Sequence, residues 1–177
     1  MTIFFLIRHG ETDWSLNDMY QLKGEYRDLP SLTPIGIKQT VDLSKDIKLE
    51  KAEFILSSPY TRALQTAAIL SKNINLDITV EYDLREWQPD LNLEISNQTQ
   101  LNNAIEDYER ENGIYPANVN KAWESKSAVK LRAENLLKKY TNHKYIIVVT
   151  HEQVIKSWIN FGHIPNCSIN ELELFSE

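Results

Sequence analysis

A chain of 177 residues, 42% hydrophobic and 25% charged, has the composition of an ordinary globular protein with one sizeable core, which excludes the disordered and fibrous classes. Its formal net charge of −6 disfavours non-specific binding to nucleic acid or to an anionic membrane surface. Any anion site must therefore be a local cluster of cations on an acidic background. A single cysteine, Cys167, excludes an intrachain disulfide and a cysteine-rich metal centre.

The chain opens on an apolar run, Ile3-Phe4-Phe5-Leu6-Ile7, that stops at Arg8-His9-Gly10. Residues 2–7 read as a strand buried on both faces. From Glu11 to Pro34 the sequence is polar and irregular, with aromatics at Trp14, Tyr20 and Tyr26. A connection this long is usually functional or mobile. Thr33-Pro34 opens a helix, with Thr33 as N-cap and Pro34 in the first turn. It is expected to reach about Lys48, with Ile37, Val41 and Leu43 or Ser44 on its buried side. Residues 52–57 form a second buried strand. Ser57-Ser58-Pro59 breaks it and starts a helix over 60–72, whose small apolar face (Ala63, Leu64, Ala67, Ala68 and Ile69 or Leu70) suits flat packing on a sheet. A short third strand at 78–81 precedes Asp83-Leu84-Arg85-Glu86-Trp87.

Residues 87–127 are rich in Asn, Gln and Glu. They carry a predicted helix near 98–112 and are expected to form a lid or cap. An amphipathic helix over 127–140 places Leu131, Leu136, Leu137 and Tyr140 inward. Residues 145–149 form a fourth buried strand ending at Thr150-His151. A helix over 152–161 follows, and the alternation in 169–175 predicts a last strand, with Leu172 and Leu174 among its apolar positions. Strands alternating with helices predict an α/β fold, a three-layer α/β/α sandwich with a mainly parallel sheet. No repeat or linker divides the chain, so a single domain over 1–177 is expected. No stretch approaches the roughly 18 apolar residues of a membrane helix, and the first apolar run is too short for a signal-peptide core. A cytoplasmic location is expected, and the lone cysteine fits it. The sequence does not indicate an oligomeric state.

Three strands end in the same style. Ile7 gives way to Arg8-His9-Gly10, Ser57 to Ser58-Pro59-Tyr60-Thr61-Arg62, and Val149 to Thr150-His151. In a parallel sheet these ends converge, and ligands bind beyond the carboxyl ends of such strands. The crevice then holds Arg8, Arg62, His9 and His151. Arginine's planar fork matches phosphate oxygens, and helices starting at Pro59 and Glu152 aim backbone N–H groups at the same place. Such a pocket suits a phosphoryl group. A neutral histidine in it can act as nucleophile, and Glu86 can serve as general acid. His143 and His163 sit in polar turns and read as ordinary surface histidines. Trp87, Tyr108, Tyr115 and Trp123 read as core or lid packing. No H-E-x-x-H spacing occurs to mark a metal site.

LIRHGET, SSPYTRALQTA and VTH followed by a helix, in that order, resemble the histidine phosphatase superfamily with its phosphoglycerate-mutase-like fold. Gly24, Leu32-Thr33-Pro34-Ile35-Gly36 and Gln39 fit the same resemblance, which covers Ile3 to about Ile155. It implies that His9 is the residue phosphorylated and that Arg8, Arg62 and His151 hold the phosphoryl oxygens. It places the acid at Glu86, in Leu84-Arg85-Glu86, in preference to Asp83 or Glu81. It implies no metal and no cofactor, the arginines neutralising charge in the place of Mg²⁺.

The chain departs from the family pattern at two points. Ser15 follows Trp14 where asparagine is frequent; its hydroxyl can still donate to phosphate, and Asn17 is near. Glu152-Gln153 stands where glycine usually follows the second histidine. Glu152 keeps the backbone N–H that would reach phosphate. A carboxylate turned inward at ~5 Å would repel the phosphoryl group by ~3 kcal/mol at an effective dielectric of about 20, so its side chain is expected to turn outward or toward a cation. The reading is a phosphomonoesterase acting on a phosphorylated small molecule through phosphohistidine. A phosphoglycerate-type mutase and a non-catalytic phosphate-binding member are the alternatives.

Overall fold

The computed structural model describes residues 1–20, 23–159 and 162–175. Its sheet has five strands: β1 (Thr2–Arg8), β2 (Ile55–Ser57), β3 (Ile78–Val80), β4 (Tyr145–Thr150) and β5 (Ile169–Leu174), in the order β3-β2-β4-β1-β5. The first four run parallel and β5 pairs antiparallel with β1. The α/β sandwich with a mainly parallel sheet is thus observed. β1 and β4 are continuous apolar runs because both of their faces are covered. Phe4, Leu6, Ile146 and Val148 point to one side, where Leu136, Leu137 and Ile155 meet them. Phe5, Ile7, Ile147 and Val149 point to the other, against Ala63, Ala67 and Leu70.

The helices are α1 (Ser15–Tyr20), α2 (Pro34–Leu43), α3 (Thr61–Ile74), α4 (Gln98–Arg110), α5 (Lys126–Lys138) and α6 (Glu152–Lys156). Thr33, Asn97 and Ser125 cap α2, α4 and α5 through their side-chain oxygens. The 11–34 connection is less irregular than its composition suggests: it holds α1 and a 3-10 turn over Gly24–Asp28. α2 stops at Leu43, short of Lys48, because Asp46 accepts from Lys48 N and starts a separate 3-10 turn over Ile47–Lys51. That turn and the residues after it also shorten the strand expected over 52–57 to Ile55–Ser57. The helix expected over 152–161 ends at Lys156, and its last expected residues, 160 and 161, lie outside the described residues.

Three helix faces differ from the apolar count. On α2, Ile37 and Val41 are exposed while Gly36 and Thr40 are buried. Ala68 of α3 is exposed, its packing face being Ala63, Thr66, Ala67 and Leu70. Leu131 of α5 is 61% exposed. The α2 case has a steric origin. A Cβ on Gly36 would lie 2.2 Å from the Glu11 carbonyl oxygen, and one on Gly10 would lie 2.6 Å from the Gly36 carbonyl oxygen. Backbone meets backbone here, fixing the chain just after β1 against the first turn of α2. Glu11 N–H also donates to Gln39 Oε1 on the next turn (2.9 Å), and Thr33 N–H donates to the Glu11 carbonyl (2.9 Å).

Gly36→Ala cannot be absorbed by moving a side chain. It is expected to destabilise the fold by about 3 kcal/mol, read as a lowered urea midpoint at unchanged m-value.

Candidate functional site

The carboxyl ends of β1, β2 and β4 lie side by side, with Arg8 opposite Thr150 in the register and His9 N–H donating to the Thr150 carbonyl (3.1 Å). His9 and His151 consequently meet edge to face, ring centroids 5.2 Å apart. Arg62, in the first turn of α3, reaches the same point: its Nε donates to His9 Nε2 (3.2 Å). A cavity of about 720 Å³ opens over these groups, lined among others by Arg8, His9, Arg62 and Glu86.

Its hydrogen bonds hold the His9 imidazole in one tautomer. His9 Nδ1 donates to the Gly10 carbonyl (2.7 Å), so Nε2 carries the lone pair and accepts from Arg62. Burial, with Arg62 and Arg8 nearby, pushes the His9 pKa down to about 3, so the ring is neutral in ordinary buffers. Ser58 Oγ accepts from Tyr60 N–H (3.3 Å) and is hydrogen-bonded to His151 Nε2 (2.7 Å). His151 Nδ1 is a buried atom with no hydrogen-bond partner among the described residues. Burial, followed by the Arg62 charge, holds the His151 pKa well below its ordinary value, so this ring too is neutral.

The arginines are oriented by carboxylates. Asp28 Oδ1 accepts from Arg62 Nη1 (2.8 Å), and the Arg62 guanidinium lies between the rings of Trp14 and Tyr60. Burial raises the Asp28 pKa against the opposing pull of Arg62. Arg8 Nη1 donates to Glu152 Oε2 (2.8 Å) and to the Ile164 carbonyl, while Arg8 Nε is buried without a partner among the described residues. Glu152 therefore turns toward cations, as expected: it also pairs with Lys156 (2.8 Å) and with the exposed His163 (3.2 Å). Burial works against its charge, but Lys156 and Arg8 outweigh it and the pKa is lowered.

Glu86 follows the turn after β3. It lines the cavity and accepts from the Trp87 N–H (2.8 Å). Burial raises its pKa. The turn that carries it is held by Arg132 of α5, which donates to the carbonyls of Asp83 and Glu86 and, through Nε and Nη2, to both oxygens of Glu124 (2.7 and 3.0 Å). Among the described residues, no three His, Cys, Asp or Glu side chains are grouped as metal ligands.

The structure thus brings His9, Arg8, Arg62, His151 and Glu86 together, with Glu152 behind Arg8. It does not bring Ser15, which is exposed at the start of α1 with its N–H on Asp13 Oδ1 (3.0 Å); Asn17, two residues on, lines the cavity instead. His143 is a surface partner of Glu53. Trp87, Tyr108, Tyr115 and Trp123 pack together over α5 and α6. The supporting residues Asp28, Ser58, Glu124 and Arg132 carried no role in the sequence reading. Only Ser58 lay inside a recognisable motif.

The pattern of the histidine phosphatase superfamily (branch 1) matches residues 4–176, and the chain belongs to that superfamily. Among curated relatives, it is 36% identical over 86 residues to the uncharacterized phosphatase PhoE of Bacillus subtilis, covering 49% of this chain and 42% of that protein. It is 34% identical over 82 residues to the probable phosphoglycerate mutase GpmB of Proteus mirabilis, covering 46% of this chain and 36% of that protein. These matches span less than half the length of either relative. Among solved structures, a mycobacterial glucosyl-3-phosphoglycerate phosphatase superposes with a TM-score of 0.75 at 21% identity, over 98% of this chain and 90% of that one. YhfR of Bacillus stearothermophilus gives 0.68 at 24% identity, over 89% and 77%. At these identities the superpositions establish the phosphoglycerate-mutase-like fold.

Two outcomes are expected. Arg132→Met leaves the buried Glu124 carboxylate without its main partner and costs about 3–5 kcal/mol, measured by thermal or urea unfolding. The His9 imidazole stays neutral from about pH 8 to about pH 4, so its NMR ring shifts stay flat where an ordinary histidine titrates near 6.5. The unfolded chain takes up the proton that folded His9 refuses, so this group makes stability fall as pH drops from about 6.5 toward 3.

Proposed function

We propose that the protein is a phosphomonoesterase that transfers a phosphoryl group to His9 Nε2 and then to water. The observation that carries this reading is the fixed state of His9: a neutral ring, its Nδ1 proton committed to the Gly10 carbonyl, and its Nε2 lone pair accepting from Arg62 beside the cavity that Glu86 also lines. Membership of the superfamily supports it.

Arg62 Nε donates to the Nε2 lone pair. An entering phosphoryl group takes over that donor together with Nε of Arg8 and Nδ1 of His151. The arginines thus neutralise charge without a metal ion. Nε2 attacks phosphorus, and the P–O bond to the alcohol breaks. Glu86, whose pKa burial raises, acts as the acid and gives a proton to the departing oxygen. The Gly10 carbonyl keeps the Nδ1 proton and stabilises the phosphoimidazole. The Glu86 carboxylate then takes a proton from water, the water oxygen attacks phosphorus, and the P–N bond breaks. Phosphate leaves and His9 is neutral again. In this reading the chain acts as one domain, with residues 87–127 as a cap whose Trp87 and Tyr108 line the cavity.

His9→Ala abolishes turnover, and brief incubation of the unaltered protein with labelled substrate traps an acid-labile, alkali-stable phosphoprotein. Absence of both effects would refute the proposal. Glu86→Gln lowers kcat/KM for alkyl phosphates by about 10²–10⁴ and for aryl phosphates, whose leaving groups need less protonation, by less. Because the acid must be protonated, kcat/KM for alkyl phosphates falls as pH rises through the raised Glu86 pKa, and this limb disappears in Glu86→Gln. With 3-phosphoglycerate, free phosphate and not an isomer is the expected product.

A further inference from the structure

The phosphoryl position occupies one end of the cavity. In the proposed reaction the leaving oxygen faces Glu86, on the side away from His9, so the body of the leaving alcohol has to occupy the rest of the 720 Å³. The lining there is chemically one-sided. Leu93, Leu101 and Ile105 come from the segment around α4, and Trp14 lines the same cavity. Leu93 and Trp14 are about half exposed, 49% and 48%, although both face a cavity large enough to cover them.

Several polar groups of the lining are engaged within the protein, while Asn17 Oδ1 is buried with no partner among the described residues. Asp90 accepts the backbone N–H groups of Asn92, Glu94 and Ile95. Gln88 Nε2 donates to the Tyr60 hydroxyl (3.1 Å), and Glu11 Oε1 accepts from the Thr33 hydroxyl (2.8 Å). Asp28 is held by Arg62. A polyhydroxylated leaving group, such as a sugar or glycerol, finds few free partners here and would be desolvated against hydrocarbon. Arg27, which interacts with the Asp28 charge, and Glu109 also line the cavity with opposite signs, and the Glu109 carboxylate disfavours a second phosphate or a carboxylate on the substrate.

We infer that the substrates are phosphate monoesters of alcohols with an apolar or aromatic body, and that Leu101 and Ile105 of α4 are specificity-determining residues. This inference rests on the phosphomonoesterase reading, deepens it, and is contradicted by a substrate whose recognition runs through Arg27.

Acetyl phosphate, which has no apolar body, first tests the reaction itself. Its His9-dependent hydrolysis upholds phosphoryl transfer through His9, the step on which the phosphomonoesterase reading depends, and its absence removes that reading and this inference together. Benzyl phosphate, glycerol 3-phosphate and 3-phosphoglycerate are then compared. The first two release primary alcohols of similar acidity, so their ratio reports the cavity and not the chemistry. The kcat/KM for benzyl phosphate should exceed the other two by about tenfold or more, chiefly through KM. In Leu101→Ser/Ile105→Ser, that preference falls by about tenfold, with circular dichroism and melting temperature reporting that the protein is folded. Leu93→Ser, on a half-exposed side chain of a loop, gives the same direction of change in a position that does not support a helix. Acetyl phosphate hydrolysis with no benzyl preference overturns the inference alone. So does a preference for 3-phosphoglycerate that Arg27→Gln removes, or a benzyl preference that both variants leave unchanged.

Discussion

The parallel register between β1 and β4 is the constraint on which the site depends. Arg8 stands opposite Thr150, and the next residue on each strand is a histidine. A shift of one residue would turn each apolar run over, exchanging the two core faces, because side chains alternate along a strand. Both faces of β1 and β4 are filled, by α3 on one side and α5 with α6 on the other. The packing of the core therefore sets the distance between the two imidazoles. The backbone contact between Gly10 and Gly36 then fixes the chain leaving β1, so the Gly10 carbonyl that sets the tautomer of His9 is itself anchored.

Around this frame, polar groups act in relays, each held by a partner on another element. Asp28 orients Arg62, which touches His9. Ser58 holds His151, and Glu124 holds Arg132, which holds the turn bearing Glu86. Burial makes the neutral forms of both histidines and of Glu86 more favourable than they would be in water. The low dielectric that protects a nucleophilic lone pair from protonation also favours the protonated form of an acid. Glu152 fits the same logic. A carboxylate facing an incoming anion would be costly, but tied to Arg8, Lys156 and His163 it fixes Nη1 of Arg8 and leaves Nε without a partner among the described residues.

How much of this was legible in the sequence depended on range. β1 and β4 announced themselves as unbroken apolar runs, and the residues at their ends named the reacting groups. Helix faces were read less well where something other than an apolar stripe attaches the helix. α2 is seated by Gly36 and Thr40, so Ile37 and Val41 could not signal its orientation. Leu131 is an apolar residue on a solvated face, which composition alone does not reveal. Ser15 was expected at the site from its position after Trp14, but α1 begins there and carries it outward. The orienting partners Asp28, Glu124 and Arg132 escaped notice because a charged residue in a polar stretch looks the same whether it is solvated or buried against a partner from another element.

The place of β1 in the sheet has a consequence for how the chain acquires its structure. The first strand made has as neighbours the last two made, β4 and β5. At a synthesis rate of roughly 5–20 residues per second, β1 waits about 7–30 s on the ribosome before any strand can pair with it. It spends that interval as an unpaired, strongly apolar segment, while β2 and β3 already have each other. Early protection by helper proteins, or burial against its own neighbouring helices, is accordingly most needed at β1. No half-made chain can carry the assembled pair of histidines.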